Sequence, residues 1–148
     1  MQHSAAHAYQ QVGKQTVSPR VLEANLLSRA AYGPRPGETL DIFLPEGRGP
    51  WPVHVFVHGG YWRSLDKEHF SFVARGLQPA GVLVAVVNYA LIPTVDMDEL
   101  VRQVRASVAW LHRNVAALGG DPDNITVSGH SAGGHLTAML LSTDWPAF

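Results

Sequence analysis

The sequence predicts an α/β domain with a mostly parallel sheet and helices on both faces. Three observations lead there. From Val53 onward, apolar β-type runs alternate with segments of helical period, in the order strand, helix, strand, helix, strand, helix. Val82 to Val87 is almost continuously apolar, as expected of a strand covered on both faces. Two glycine-rich segments, His58 to Gly60 and Gly129 to Gly134, each follow such a strand-like run. In open parallel sheets, sites form at the carboxyl ends of strands.

The elements follow in order. Residues 1–18 show no clear period and read as a flexible N-terminal segment, with residues 19–148 as the folded portion. Pro19 to Ala31 predicts a short helix, with Val21, Leu22, Leu26 and Leu27 on one side. Tyr32 to Gly37 is rich in Gly and Pro and breaks the chain. Thr39 to Leu44 alternates, with Leu40, Ile42 and Leu44 on one face of a strand. Val53 to Val57 is a β-branched run that predicts a buried strand. Asp66 to Leu77 places Phe70, Val73 and Leu77 at helical spacing.

Asp96 to Leu118 predicts the clearest helix. Met97, Leu100, Val101, Val104, Val108, Leu111, Val115 and Leu118 form one apolar stripe, and Trp110 reads as core beside it. Asp96 and Glu99 have capping-box spacing, and Gly119-Gly120-Asp121-Pro122 stops the helix. Arg102, Arg105 and Arg113 read as a solvated face, with Asp98 and Arg102 as an i,i+4 pair. A strand, Ile125 to Val127, and a last helical run, His135 to Leu141, complete the order.

Composition bounds the function. The 148 residues are 46% hydrophobic and 16% charged, enough to bury a core. A net charge of −1 gives no reason to expect nucleic acid or an anionic membrane as partner. The absence of cysteine excludes disulfides and thiolate zinc sites. No apolar run reaches the ~18 residues of a membrane span, and the start lacks the apolar heart of a signal peptide. A cytoplasmic protein with no metal and no cofactor is the expectation.

The chemistry centres on Ser128-Gly129-His130-Ser131-Ala132-Gly133-Gly134. It contains G-x-S-x-G between a strand-like run and a helix-compatible run, the arrangement of a nucleophile elbow. Gly129 and Gly133 suit a turn in which backbone crowds backbone. The turn would push the Ser131 hydroxyl outward, at the N–H-rich start of a helix. The plainer reading is a β–α turn whose serine only caps that helix.

His58-Gly59-Gly60-Tyr61-Trp62 is the second element. Acyl transfer needs N–H donors for the oxyanion of its tetrahedral intermediate. The backbone N–H groups of Gly60, Tyr61 and Ala132 are assigned that part. An ordinary glycine turn is the alternative. Tyr61 and Trp62 fit either an aromatic substrate pocket or packing beneath the loop. Asn88 and Tyr89 end a strand nearby and read as a structural turn.

None of the eight histidines has compelling spacing for a base. His130 adjoins the serine and is expected to pack sideways. His58 is expected to fix its loop through hydrogen bonds. His135 lies one helical turn on, pointing back along its own helix. His54, His69 and His112 read as strand or helix-face residues, and His3 and His7 fall in the uninformative start.

His58-Gly59-Gly60-Tyr61-Trp62 and Gly129-His130-Ser131-Ala132-Gly133-Gly134, with Asn88-Tyr89-Ala90-Leu91-Ile92-Pro93 between them, resemble the kynurenine formamidase (arylformamidase) branch of the α/β-hydrolases. That branch stands close to the hormone-sensitive-lipase-like esterases, which more often carry a third glycine where Tyr61 stands. The resemblance spans about Tyr32 to Phe148. It implies hydrolysis of an aryl formamide or a small ester through a Ser–Asp–His triad, without cofactor. The family's acid and histidine come later in the domain, and no residue here corresponds to them. Asp144 follows Ser131 too closely to be that acid.

The chain is therefore expected to be the N-terminal part of an α/β-hydrolase domain of roughly 250–300 residues, truncated after the elbow helix. A C-terminal portion or a second copy would complement it. A formamidase acting through Ser131 is favoured over a small-acyl carboxylesterase because of the His58–Trp62 segment. An inactive fold used for binding or assembly is the third reading.

Overall fold

The computed structural model describes residues 25–148. The expected flexible segment, and the first part of the expected Pro19–Ala31 helix, lie outside the described residues. Five strands form one sheet: β1 (Leu26–Ala31), β2 (Thr39–Phe43), β3 (Trp51–Val57), β4 (Leu83–Val87) and β5 (Gly120–Gly129), in the spatial order β1-β2-β4-β3-β5. β3 pairs in parallel with β4 and with β5, and β2 pairs antiparallel with β1 and β4. The parallel sheet foreseen after Val53 is present, extended on one side by an antiparallel pair.

The strand order sets where a site can form. From β3 the chain passes through a 3-10 helix (Lys67–Val73) and α1 (Ala74–Leu77) to β4 on one side. From β4 it returns through α2 (Met97–Asn114) to β5 on the other side of β3, and α3 (Ala132–Leu141) follows. The crossover from β3 to β4 and the one from β4 to β5 run in opposite directions across the sheet, which puts their helices on opposite faces. The packing agrees. Val53, Val55, Val57, Leu83, Ala85 and Val87 pack with Leu100, Val104, Leu111 and Leu136. Val84 and Val86 pack with Ala74, Phe56 and Phe70 on the other face. The switch in direction opens a crevice beyond the carboxyl ends of β3 and β5.

Leu26 to Ala31 is a strand, which corrects the expected helix. Leu27 pairs with Ile42 and Ala30 with Leu40, so β1 spends one residue more than β2 over that stretch. The bulge places Arg29 at φ 56° and buries both Leu27 and Ala30. The helical reading rested on Val21, Leu22, Leu26 and Leu27, of which Leu26 and Leu27 are neighbours in the strand, on opposite faces of the sheet.

α2 begins as foreseen, with the Asp96 carboxylate accepting from Glu99 N at 2.8 Å. The reciprocal half of the capping box is not made. Glu99 turns instead to Arg102, Gln103 and Arg35. Its carboxyl is drawn down to about 2, first by hydrogen bonds from Arg102 and then from Gln103. The expected Asp98–Arg102 pair is replaced. Arg102 bonds Glu99 at 2.8 Å and the buried Glu38 at 2.7 Å. Glu38 reaches across from the turn before β2 and offers a carboxylate with no access to water, so the guanidinium leans that way.

Buried charge also sits under the other end of β2. Lys67 Nζ lies 3.1 Å from Asp41 Oδ2, with side chains 3% and 6% exposed. Asp41 Oδ1 accepts from Arg29 N at 2.7 Å, which ties the bulge to β2. No helix among the described residues is long and apolar enough to cross a membrane.

Lys67→Met strands the Asp41 carboxylate out of water and should destabilise the fold by about 3–5 kcal/mol. Adding Asp41→Leu to that variant should recover a large part of the loss. Urea denaturation of the three proteins measures both effects.

Candidate active site

β5 ends at Gly129 and α3 begins at Ala132, so the chain reverses over His130 and Ser131. Ser131 has φ 55° and ψ −117°. A residue with a side chain enters this left-handed region at a cost of about 1–2 kcal/mol, so the surrounding structure must hold it there. Glycine makes that possible. A Cβ on Gly129 would fall on the Gly133 carbonyl, and a Cβ on Gly133 would fall on the Val57 carbonyl and 2.7 Å from His58 O. The helix start therefore lies directly on the end of β3. Gly134 N at 2.8 Å and His135 N at 3.3 Å both donate to Ser131 O. The Ser131 side chain makes no capping hydrogen bond and is exposed. The plain helix-capping reading has no support in this geometry.

The segment after β3 lies against the same turn. A Cβ on Gly59 would meet His130 O at 2.6 Å and Ser131 Cβ at 3.1 Å. The next three residues all have positive φ: Gly60 122°, Tyr61 53° and Trp62 59°. Gly60 O accepts from Arg63 N and Ser64 N, both at 3.0 Å, and closes a tight turn. Among the described residues the amides of Gly60, Tyr61 and Ala132 have no backbone acceptor. These are the three groups assigned from sequence as oxyanion donors.

Tyr61 and Trp62 part company. The Tyr61 side chain is 79% exposed, whereas Trp62 packs against the core. The Trp62 indole N–H donates to His135 Nδ1 at 3.3 Å, the two rings meeting edge to face at 5.5 Å. Trp62 O accepts from Ile92 N at 2.8 Å.

His58 is fully buried. It stacks on Tyr89 with ring centroids 4.3 Å apart, and Phe70 covers its other face. Its Nδ1 lies 2.7 Å from Gly59 O and its Nε2 3.2 Å from Asn88 Oδ1. Burial, the largest influence, pushes its pKa below the ordinary histidine value. His58 thus braces the loop, as expected: its ring donates to one of these two oxygens and packs against the other.

The brace has supports that sequence reasoning missed. Asn88 Nδ2 donates to Asp66 Oδ2 at 2.9 Å, and the Tyr32 hydroxyl donates to Asn88 O at 2.6 Å. The Tyr89 hydroxyl donates to His58 O at 2.5 Å, and burial raises its pKa. Gln103 Oε1 accepts from Ala90 N at 2.8 Å, tying the 88–93 segment to α2. Gln103 and Ser107 left a readable sign: both are polar residues on the buried side of an amphipathic helix.

None of the other described histidines hydrogen-bonds the serine hydroxyl through its ring. His54 bridges Thr126 Oγ1 at 2.8 Å and Ser128 Oγ at 2.7 Å, across β3 and β5. His69 Nδ1 lies 3.2 Å from Asp66 N. His130 and His112 are exposed, and His3 and His7 lie outside the described residues. Asp144 heads a short 3-10 turn, Trp145–Ala147, beyond α3. No group of three His, Asp or Glu side chains among the described residues could hold a metal.

Burial lowers the pKa of both His58 and His54, whereas an unfolded histidine takes its proton near pH 6.5. Below that value the unfolded chain binds more protons, so stability falls as the pH drops. For His58 the slope is at most about 1.4 kcal/mol per pH unit, and it ends at the lower folded pKa. Urea midpoints should be flat above about pH 7.5 and fall toward pH 5. His58→Gln should flatten part of that decline.

Comparison with known proteins agrees with this architecture. A family model described as BD-FAE matches residues 40–144. Kynurenine formamidase of Danio rerio is 42% identical over 118 residues, covering 79% of this chain and 39% of its own length. Isoprenylcysteine alpha-carbonyl methylesterase of Arabidopsis thaliana is 34% identical over 111 residues, covering 74% of this chain and 26% of its own length. Among solved structures, esterase B of Lactobacillus rhamnosis superposes with a TM-score of 0.73 at 26% identity, over 93% of this chain and 44% of that one. The chain spans about two fifths of the length of the kynurenine formamidases it matches. By its sheet order, its two glycine segments and a family match over most of its described length, the chain belongs to the BD-FAE family, on the kynurenine formamidase and esterase branch of the α/β-hydrolases.

Proposed function

We propose that this chain carries the nucleophile and oxyanion hole of a serine hydrolase that cleaves an aryl formamide of the N-formyl-kynurenine type. One observation carries the reading. Ser131 is held in a strained conformation, with its hydroxyl uncapped and exposed, against a loop whose amides lack acceptors.

In this reading Ser131 Oγ attacks the formyl carbon, and its proton passes to a base. The carbonyl oxygen becomes an oxyanion that the N–H groups of Gly60, Tyr61 and Ala132 receive. Fixed donors of this kind need no reorganisation as charge develops. The intermediate collapses, the aryl amine leaves with a proton, and water hydrolyses the formyl ester on Ser131 to release formate. An unassisted serine is a weak nucleophile near neutral pH. No histidine ring hydrogen-bonds the Ser131 hydroxyl among the described residues. Base and acid are therefore proposed to come from a C-terminal portion of a longer chain or from a second copy.

A small-acyl carboxylesterase is the second reading, favoured by the esterases among the structural neighbours. One of them, esterase 2 of Thermogutta terrifontis, has been seen phosphorylated by paraoxon. An organophosphonate is accordingly a suitable probe of Ser131.

Turnover of N-formyl-kynurenine and of p-nitrophenyl acetate, with Ser131→Ala as control, tests both readings. Serine-dependent turnover is expected of the protein that also carries the base and acid, and the ratio of the two kcat/KM values selects the substrate class. A fluorophosphonate should label that protein and leave its Ser131→Ala variant unlabelled. Labelling unchanged in that variant would remove Ser131 as nucleophile.

Gly59→Ala offers a second check. The added methyl collides with His130 O, so the loop must move off the elbow. Its rate of turnover or labelling should fall about 10²-fold, comparable with loss of one oxyanion donor.

A further inference from the structure

We propose that His135 is a positioning residue of this site: its ring holds the Trp62 indole and so fixes the Gly60 and Tyr61 amides over Ser131. This rests on the oxyanion assignment above and adds to it the group that keeps the loop in place.

The loop from Gly59 to Trp62 cannot hold its own shape. Three consecutive residues, Gly60, Tyr61 and Trp62, have positive φ, and two of them carry aromatic side chains. Backbone of this kind relaxes unless its ends are anchored. The first anchor is Gly59, where an added Cβ would meet His130 O at 2.6 Å and Ser131 Cβ at 3.1 Å. The second is Trp62. Its carbonyl is held by Ile92 N at 2.8 Å and its indole N–H by His135 Nδ1 at 3.3 Å. The proposed donors Gly60 and Tyr61 are the residues between the two anchors.

His135 is suited to this part because it also touches the nucleophile. Its own backbone N–H donates to Ser131 O at 3.3 Å. Thus one residue on the first turn of α3 is bonded to Ser131 through its main chain and to the oxyanion loop through its ring. An indole nitrogen can only donate, so His135 Nδ1 is the acceptor and the ring's proton is on Nε2. With Nδ1 occupied by Trp62, the ring acts on the reaction through the loop. His135 is exposed, and the core does not require an imidazole there. A purely structural role would be satisfied by any side chain that packs against the indole edge.

Three variants test this. His135→Leu keeps the packing and removes the acceptor. His135→Asn restores an acceptor, since Asn Oδ1 stands near the place of His Nδ1. Trp62→Phe removes the donor and assigns the Trp62 indole resonance. Two quantities are read on each protein: solvent exchange of the Trp62 indole N–H by NMR, and the second-order rate of fluorophosphonate labelling at Ser131. The indole proton should be protected in the wild type and in His135→Asn, and exchange freely in His135→Leu. Labelling should fall about tenfold in His135→Leu and in Trp62→Phe, fall no further in the double variant, and recover in His135→Asn.

An indole proton still protected in His135→Leu would overturn the proposal, because the hydrogen bond would not be what holds Trp62. Lost protection with unchanged labelling would overturn it too, reducing His135 to a structural contact. A wild-type protein that carries the base and acid, shows indole protection and still takes no label would sink the nucleophile assignment, and the positioning role with it.

Discussion

The site depends on one close approach, the seating of the α3 N-terminus on the last turn of β3. Parallel pairing places Val57 level with Gly129, so the two segments that leave the sheet start at the same height. A Cβ on Gly133 would coincide with the Val57 carbonyl, and one on Gly59 would crowd His130 O. Side chains at either position would part the two segments by roughly a methyl group's width. Oxyanion donors act only when they sit near the point where charge develops, within about 3 Å. The register of two strands and the lack of a few β-carbons therefore set the geometry of the serine and its surrounding amides.

Such contact needs a firm bed, and here it is polar. His58 lies beneath the loop, sandwiched between Tyr89 and Phe70. Its ring reaches Asn88, Asn88 reaches Asp66, and the Tyr89 hydroxyl returns to His58 O. Buried polar groups are costly when a partner is missing, so groups that already share partners this closely admit few alternative arrangements. An apolar bed of the same volume would allow the loop to slide. Gln103 and Tyr32 extend the hold to α2 and to the segment before β2. Elements distant in sequence thus meet under five residues of loop.

What the sequence makes legible follows from which interactions are local. Alternation and stripes mark β2, β3, β4 and α2 because each buries a regular face. The elbow is readable because glycine, serine and glycine are needed at fixed offsets within a single turn. β1 is not readable, because its bulge breaks the alternation that would mark a strand, with Leu27 and Ala30 both buried. The Lys67–Asp41 and Arg102–Glu38 pairs are hidden for a related reason. A charged residue at the polar phase of a strand, or beside a turn, looks solvated until another element closes over it. The same holds for His135. Its place one turn past the serine suggested a ring pointing along its own helix, while its partner Trp62 lies 73 residues away in sequence.

The division of parts has a physical logic. The proposed nucleophile, the proposed donor amides and their braces all lie between Tyr32 and His135, on the crevice side of β3, β4 and β5. These are the parts that must be set to within tenths of an ångström, and they are built from backbone, which short turns and strand register can fix. A base has another requirement. It must approach Oγ from the open side, where the Ser131 hydroxyl is exposed, and it must be oriented by a third group. No described residue fills that position, and β5 has a strand partner on one side only among the described residues. Leu141, Trp145 and Phe148 are also exposed beyond it. In the proposed reading the base comes to Ser131 from a further segment or a second copy, so the contact between β3 and α3, on which the amides depend, is set without it.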